Sequence, residues 1–162
     1  MNSLTALVPL LAVAVGGLLA LLLSVFLRKA ARPAIGYLAL ASFAASGVAL
    51  VLLWGRNAHY FDGGLRLHPT AVVLGLLLVL AGILVVMMSL RFLAAQNMEH
   101  GEYYGLLLFG VAGLMIMVSS PDLLVIFLGL EVFSVSAYGL AGLRKSDLKS
   151  GEAAIKYFLT GS

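Results

Sequence analysis

The sequence contains no cysteine, which excludes a disulfide framework, a thiolate metal site and a cysteine nucleophile. It also has no GxGxxG loop for a dinucleotide, and without cysteine there is no ligand set for an iron–sulfur cluster. Charge is scarce as well: 10% of the 162 residues are charged, against about 25% in a soluble domain. What fills the space is apolar, 62% of the chain, with a mean hydropathy of +1.10. These values exclude a soluble globular protein and predict an all-α membrane protein whose first partner is the lipid bilayer. The net charge of +3 and pI near 9.4 would suggest an acidic partner such as nucleic acid in a soluble chain. Here the basic residues sit mainly between apolar runs, so they report topology and no nucleic-acid partner is expected.

A span needs about 20 predominantly apolar residues. Five complete runs qualify, at 4–27, 33–54, 70–90, 103–119 and 122–143, and a partial sixth covers 150–162. Together they predict one membrane domain over 1–162, with the sixth helix cut short. The first run has no basic residue ahead of it and is about twice the length of a signal-peptide core, so it reads as a retained helix. Counting by alternate loops puts Arg28, Lys29, Arg32, Arg91, Arg144, Lys145 and Lys149 on one side, and Arg56 and Arg66 on the other. The positive-inside rule then places the N-terminus outside.

In the second run Ala41 and Ala45, and Ser42 and Ser46, stand at small-xxx-small spacing, which favours close helix packing in lipid. Trp54, Tyr103 and Tyr104 fit interfacial belts. The methionines Met87, Met88, Met115 and Met117 read as lipid-facing or packing residues. His59, Asp62 and His68 lie in the longest loop, 55–69, and read as solvated polar residues rather than a metal site. His100, beside Glu99 and Glu102, reads the same way, and no metal is expected.

The fifth run is the one with an acid in its interior, Glu131. Ahead of it, Ser119-Ser120-Pro121-Asp122 predicts a helix start with a capping serine, a proline at the first helical position and an acid in the first turn. At 1.5 Å per residue Glu131 lies about 14 Å from Asp122 and about 18 Å from Leu143, the middle of a core about 30 Å thick. A carboxylate at that depth is costly, which marks it as an element of an ion or proton path. Ser134 and Tyr138 follow at i+3 and i+7 on the same face, so a carboxylate and two hydroxyls form a stripe that can order waters. Against that use, Ser134 can bond back to the Leu130 carbonyl and Tyr138 can simply pack.

Lys156 is the second unusual charge, about 9 Å into the sixth run, where snorkelling relieves only part of its cost. A loop of about six residues makes the fifth and sixth helices antiparallel neighbours, which makes Lys156 a candidate electrical partner for Glu131. Opposite charges about 5 Å apart interact by about 3 kcal/mol at an effective dielectric near 20. Moving one charge against 100 mV takes about 2.3 kcal/mol, so one such pair is a lever of the right size.

Residues 123–162, LLVIFLGLEVFSVSAYGLAGLRKSDLKSGEAAIKYFLTGS, resemble the characteristic segment of the subunit N family of respiratory NADH:quinone oxidoreductase, complex I, one of its antiporter-like membrane subunits. The resemblance rests on the LGLE…S…Y core and the EAAIKYFLTG run at their mutual spacing. It implies a fold of about fourteen helices, of which this chain would be the first third, in a bacterial-type inner membrane. Glu131 and Lys156 would match the family's essential glutamate and lysine, which translocate protons when quinone is reduced elsewhere in the complex. NADH, FMN and the iron–sulfur clusters would belong to partner subunits, and the other antiporter-like subunits would be neighbours. Ser136 stands where many members have proline. Two other readings compete: a subunit of a multisubunit cation/proton antiporter, and a non-conducting structural subunit.

Overall fold

The computed structural model describes residues 5, 7–27, 33–55, 58–60, 65–95, 101–144 and 147–161. Six helices occur among them: α1 (Val8–Phe26), α2 (Pro33–Leu52), α3 (Pro69–Ala95), α4 (Gly101–Val118), α5 (Leu123–Ala141) and α6 (Leu148–Gly161). The first five are long and apolar enough to cross a membrane, and α6 is shorter. The protein is an integral membrane protein.

Gly55, at φ 75, takes the left-handed conformation that ends a helical turn, and the chain leaves α2 there. The following loop, read from the sequence as solvated polar residues, carries a hairpin. Strands β1 (Ala58–Tyr60) and β2 (Leu65–Leu67) pair antiparallel, with His59 opposite Arg66. The hairpin is fastened to the next turn of the bundle by the Arg66 N–H, which donates to the Ser119 carbonyl at 2.6 Å. His68 then caps α3: its Nδ1 accepts from the Ala71 N–H at 3.1 Å, with Pro69 at the first helical position. The polar residue at 68 is thus explained by helix capping. Asp62, Arg56, Arg28, Lys29, Arg32, Lys145, Glu99 and His100 lie outside the described residues, and the loop-by-loop charge count rests partly on them.

Helices α1 to α4 enclose a common core in which Val13, Ile35, Phe43, Val72, Val86 and Leu108 are buried. In α2 the buried small face is Ser42 and Ser46, while Ala41 and Ala45 are exposed. Ser42 lies against Gly16 of α1, where a Cβ would meet its hydroxyl. Tyr104 departs from the interfacial role predicted for it. It is 5% exposed, its ring filling the space left open by Gly36 of α2, while Tyr103 donates to or accepts from Ser89 of α3 at 2.7 Å. A tyrosine packs into a core when a neighbouring helix offers a gap and its apolar body outweighs its tip.

Helix α4 touches its neighbours backbone to backbone on two sides. A Cβ on Gly105 would lie 3.2 Å from the Gly17 carbonyl of α1. A Cβ on Gly113 would lie 2.6 Å from the Gly129 carbonyl of α5. Small residues bring helices this close in lipid, where van der Waals packing drives association. Helix α5 packs mainly on α4, and α6 packs on α5. Much of the outer side of α5 is bare, with Leu123, Leu124, Phe127, Leu128, Leu130 and Val135 exposed.

Candidate functional site

Helix α5 begins later than the sequence predicts, because a better cap is available. Asp122, in extended conformation, accepts from the Leu124 N–H at 2.8 Å, while the Ser120 hydroxyl accepts from the Asp122 N–H at 3.0 Å. Ser119 instead bonds back to the Met115 carbonyl, and Pro121 precedes the cap rather than opening the helix. A carboxylate positioned two residues before a free N–H wins over a hydroxyl further upstream. Helix α5 therefore starts at Leu123. Glu131 is about 12 Å from that end and about 15 Å from Ala141, still central in the helix.

Its direction follows from the packing of α4. Gly129 and Phe133 are the α5 residues that meet Gly113, and Ser136 faces Gly110. Glu131 is two residues from both Gly129 and Phe133, about 200° around the helix from each, so it points away from α4. It is half-buried there. Ser134 and Tyr138, at i+3 and i+7, share that side and are also half-buried.

The lower end of this stripe is occupied by α6. Tyr138 stacks edge-on against Tyr157 (centroids 5.0 Å apart) and Phe158 (5.7 Å), and its hydroxyl lies where a Cβ on Gly161 would be. Tyr138 is therefore a packing residue as well as a hydroxyl on the Glu131 face. Ser136 makes a back-bond of the kind open to Ser134: its hydroxyl donates to the Val132 carbonyl at 2.7 Å. Helix α5 is continuous through Ser136.

Lys156 rests on its own helix. Its ammonium pairs with Glu152 of its own helix at 2.5 Å, and the two side chains are 72% and 62% exposed. The i,i+4 carboxylate lies one turn toward the helix start, the direction in which helical side chains lean, and reaching it requires no rearrangement between helices. An exposed pair of this kind is worth about 0.3–0.5 kcal/mol in water, so it is easily exchanged for another partner. The structure thus brings Glu131, Ser134 and Tyr138 onto one face and α6 against Tyr138, while Lys156 rests on Glu152. Glu152 was readable from the E-x-x-x-K spacing. The α4 glycines that face α5 and so aim Glu131 were readable as Gly110-xx-Gly113.

Among the described residues, no group of three or more His, Cys, Asp or Glu side chains is arranged to hold a metal ion.

A family model described as "NADH:quinone oxidoreductase/Mrp antiporter, TM" matches residues 120–162, which include all of α5 and α6. Over 157 residues the chain is 40% identical to NADH-quinone oxidoreductase subunit N of Chloroflexus aggregans, covering 96% of this chain and 32% of that protein. With the subunit N of Trichlorobacter lovleyi it shares 34% identity over 160 residues, 99% of this chain and 33% of the relative. A chain of respiratory complex I from Thermus thermophilus with bound aureothin superposes with a TM-score of 0.75 at 26% identity, over 94% of this chain and 33% of that one. The chain spans about a third of the length of the curated relatives it matches.

Proposed function

Because the chain belongs to the antiporter-like membrane-subunit family of NADH:quinone oxidoreductase, we propose that it forms part of a proton-translocating membrane subunit of that complex. Quinone reduction in partner subunits, which hold the NADH, FMN and iron–sulfur chemistry, would supply the energy. In this reading the chain lies in a bacterial inner membrane with its N-terminus outside, beside the other antiporter-like subunits.

The observation that carries the reading is Glu131, half-buried at the centre of α5 on the face turned away from α4. A carboxylate so placed can take up a proton from water on one side and release it to the other as its electrostatic surroundings change. Ser134 and Tyr138 extend the polar stripe toward the basic end of the helix. Lys156 acts as a movable counter-charge: held by Glu152 in one arrangement, it becomes available to the Glu131 face in another. With Ala154 against Gly142 and Gly161 against Tyr138, Lys156 lies toward the far end of that face, so its release from Glu152 would act on Glu131 through the field and intervening water.

The test is Glu131→Gln in the full-length protein within its complex. NADH oxidation by an artificial acceptor should persist while NADH-driven proton pumping falls severalfold, and Lys156→Met should depress pumping similarly. Undiminished pumping in a normally assembled Glu131→Gln complex would refute the role of Glu131. Loss of assembly would instead support a structural subunit. The family description also names the Mrp antiporter. That reading predicts proton movement driven by a cation gradient in the absence of NADH, which the same vesicles can measure.

A further inference from the structure

At the end of the bundle where α3 and α5 finish and α4 and α6 begin, a cavity of about 270 Å³ opens between the helices. Phe92, Leu140 and Leu143 give it apolar walls, the bonded hydroxyls of Ser89 and Tyr103 form a polar point on its wall, and Arg144 lines it as well. A second groove of about 640 Å³, along α3, shares Ser89 and Phe92 with it and adds Val85, Met88 and Arg91. The two therefore adjoin, and an arginine belongs to each.

We propose that this paired groove is a binding site for one anionic phospholipid, with its phosphate between Arg91 and Arg144 and its acyl chains along Met88, Phe92 and Leu140. Three features select that occupant. The site lies at the end of membrane-spanning helices, where the headgroup layer meets the hydrocarbon. Basic pockets between helix ends attract anionic headgroups. The inner cavity is too small for a helix, which is about 10–12 Å across with its side chains, but admits a flexible acyl chain. The site is separate from the Glu131 face, so the proposal does not depend on proton transfer.

The probe is spin-labelled phosphatidylglycerol, compared with spin-labelled phosphatidylcholine, added to the full-length protein in phosphatidylcholine nanodiscs. Motionally restricted phosphatidylglycerol should exceed phosphatidylcholine, and the preference should fall about fivefold for each of Arg91→Gln and Arg144→Gln. Arg66→Gln, which removes a cation at the opposite end of the bundle, should leave it unchanged. Equal restriction of the two lipids, survival of the preference in the double variant, or an equal loss in Arg66→Gln would each overturn the proposal. Should the double variant fail to fold, Ala141→Phe, which fills the inner cavity and keeps both arginines, decides: the preference must fall, and its persistence refutes the site.

Discussion

A single methyl group added at Gly129 should separate α4 from α5. The added Cβ would lie 2.7 Å from the Gly113 carbonyl oxygen, 2.8 Å from the Met117 side chain and 3.1 Å from the Met117 nitrogen. Carbon normally keeps about 3.3–3.6 Å from a carbonyl oxygen, so the shortfall there is about 0.6 Å or more. Two of the three obstructing atoms are backbone and cannot rotate away, and overpacking of this kind typically costs about 1–3 kcal/mol. Alanine also raises helix propensity, an opposing term of about 1 kcal/mol. A matched control removes it: at Gly47 in α2 a Cβ would meet only a Val79 methyl, at 3.4 Å. Reversible unfolding in mixed micelles of rising dodecyl sulfate content should therefore show Gly129→Ala less stable than Gly47→Ala by about 1–3 kcal/mol. A spin-label pair across α4 and α5 should record a wider separation in Gly129→Ala alone. If the two variants agree within about 0.5 kcal/mol and the separation is unchanged, the close backbone approach assigned to these helices is wrong.

Two further sets of substitutions test the local structure around the site. Asp122→Ala removes the cap of α5 and should lower stability by about 1 kcal/mol in the same unfolding assay, whereas Asp122→Asn should retain most of it. Ser89→Ala and Tyr103→Phe each break the hydroxyl contact between α3 and α4; a double-mutant cycle should return a coupling of about 0.6 kcal/mol, and a value of zero would remove that contact from the account.

Run length and hydropathy made the five spans legible, because in lipid every backbone polar group must be satisfied within its own helix. Glu131 was legible for the same reason: an acid inside an apolar run stands out whatever surrounds it. The Lys156–Glu152 pair was passed over because a lysine near a buried glutamate draws attention to the neighbouring helix, whereas Glu152 one turn away is reached without tertiary rearrangement. The burial of Tyr104 depends on Gly36, which is distant in sequence, and no local pattern distinguishes that tyrosine from one at a membrane interface. The hairpin escaped detection because strands of three residues are too short to display an alternation. The start of α5 shifted because two hydroxyls and a carboxylate compete for the same few N–H groups, and only the conformation of Asp122 shows which of them prevails.

The bond from Arg66 to Ser119 has a mechanical consequence. It pins the hairpin to the turn that leads into α5, and at the other end of that helix the Ser150 hydroxyl donates to the Ala141 carbonyl at 2.7 Å. An axial slip of α5 by one residue, about 1.5 Å, would have to stretch one fastening or the other. Two such bonds, each worth about 0.5–1.5 kcal/mol, resist an axial stroke of the helix. Under the proposed function, a signal that reaches Glu131 as a change of field, of side-chain rotamer or of hydration avoids stretching these bonds, whereas a stroke along the membrane normal does not. In that reading the hairpin, far from the carboxylate, disfavours an axial stroke as the signal.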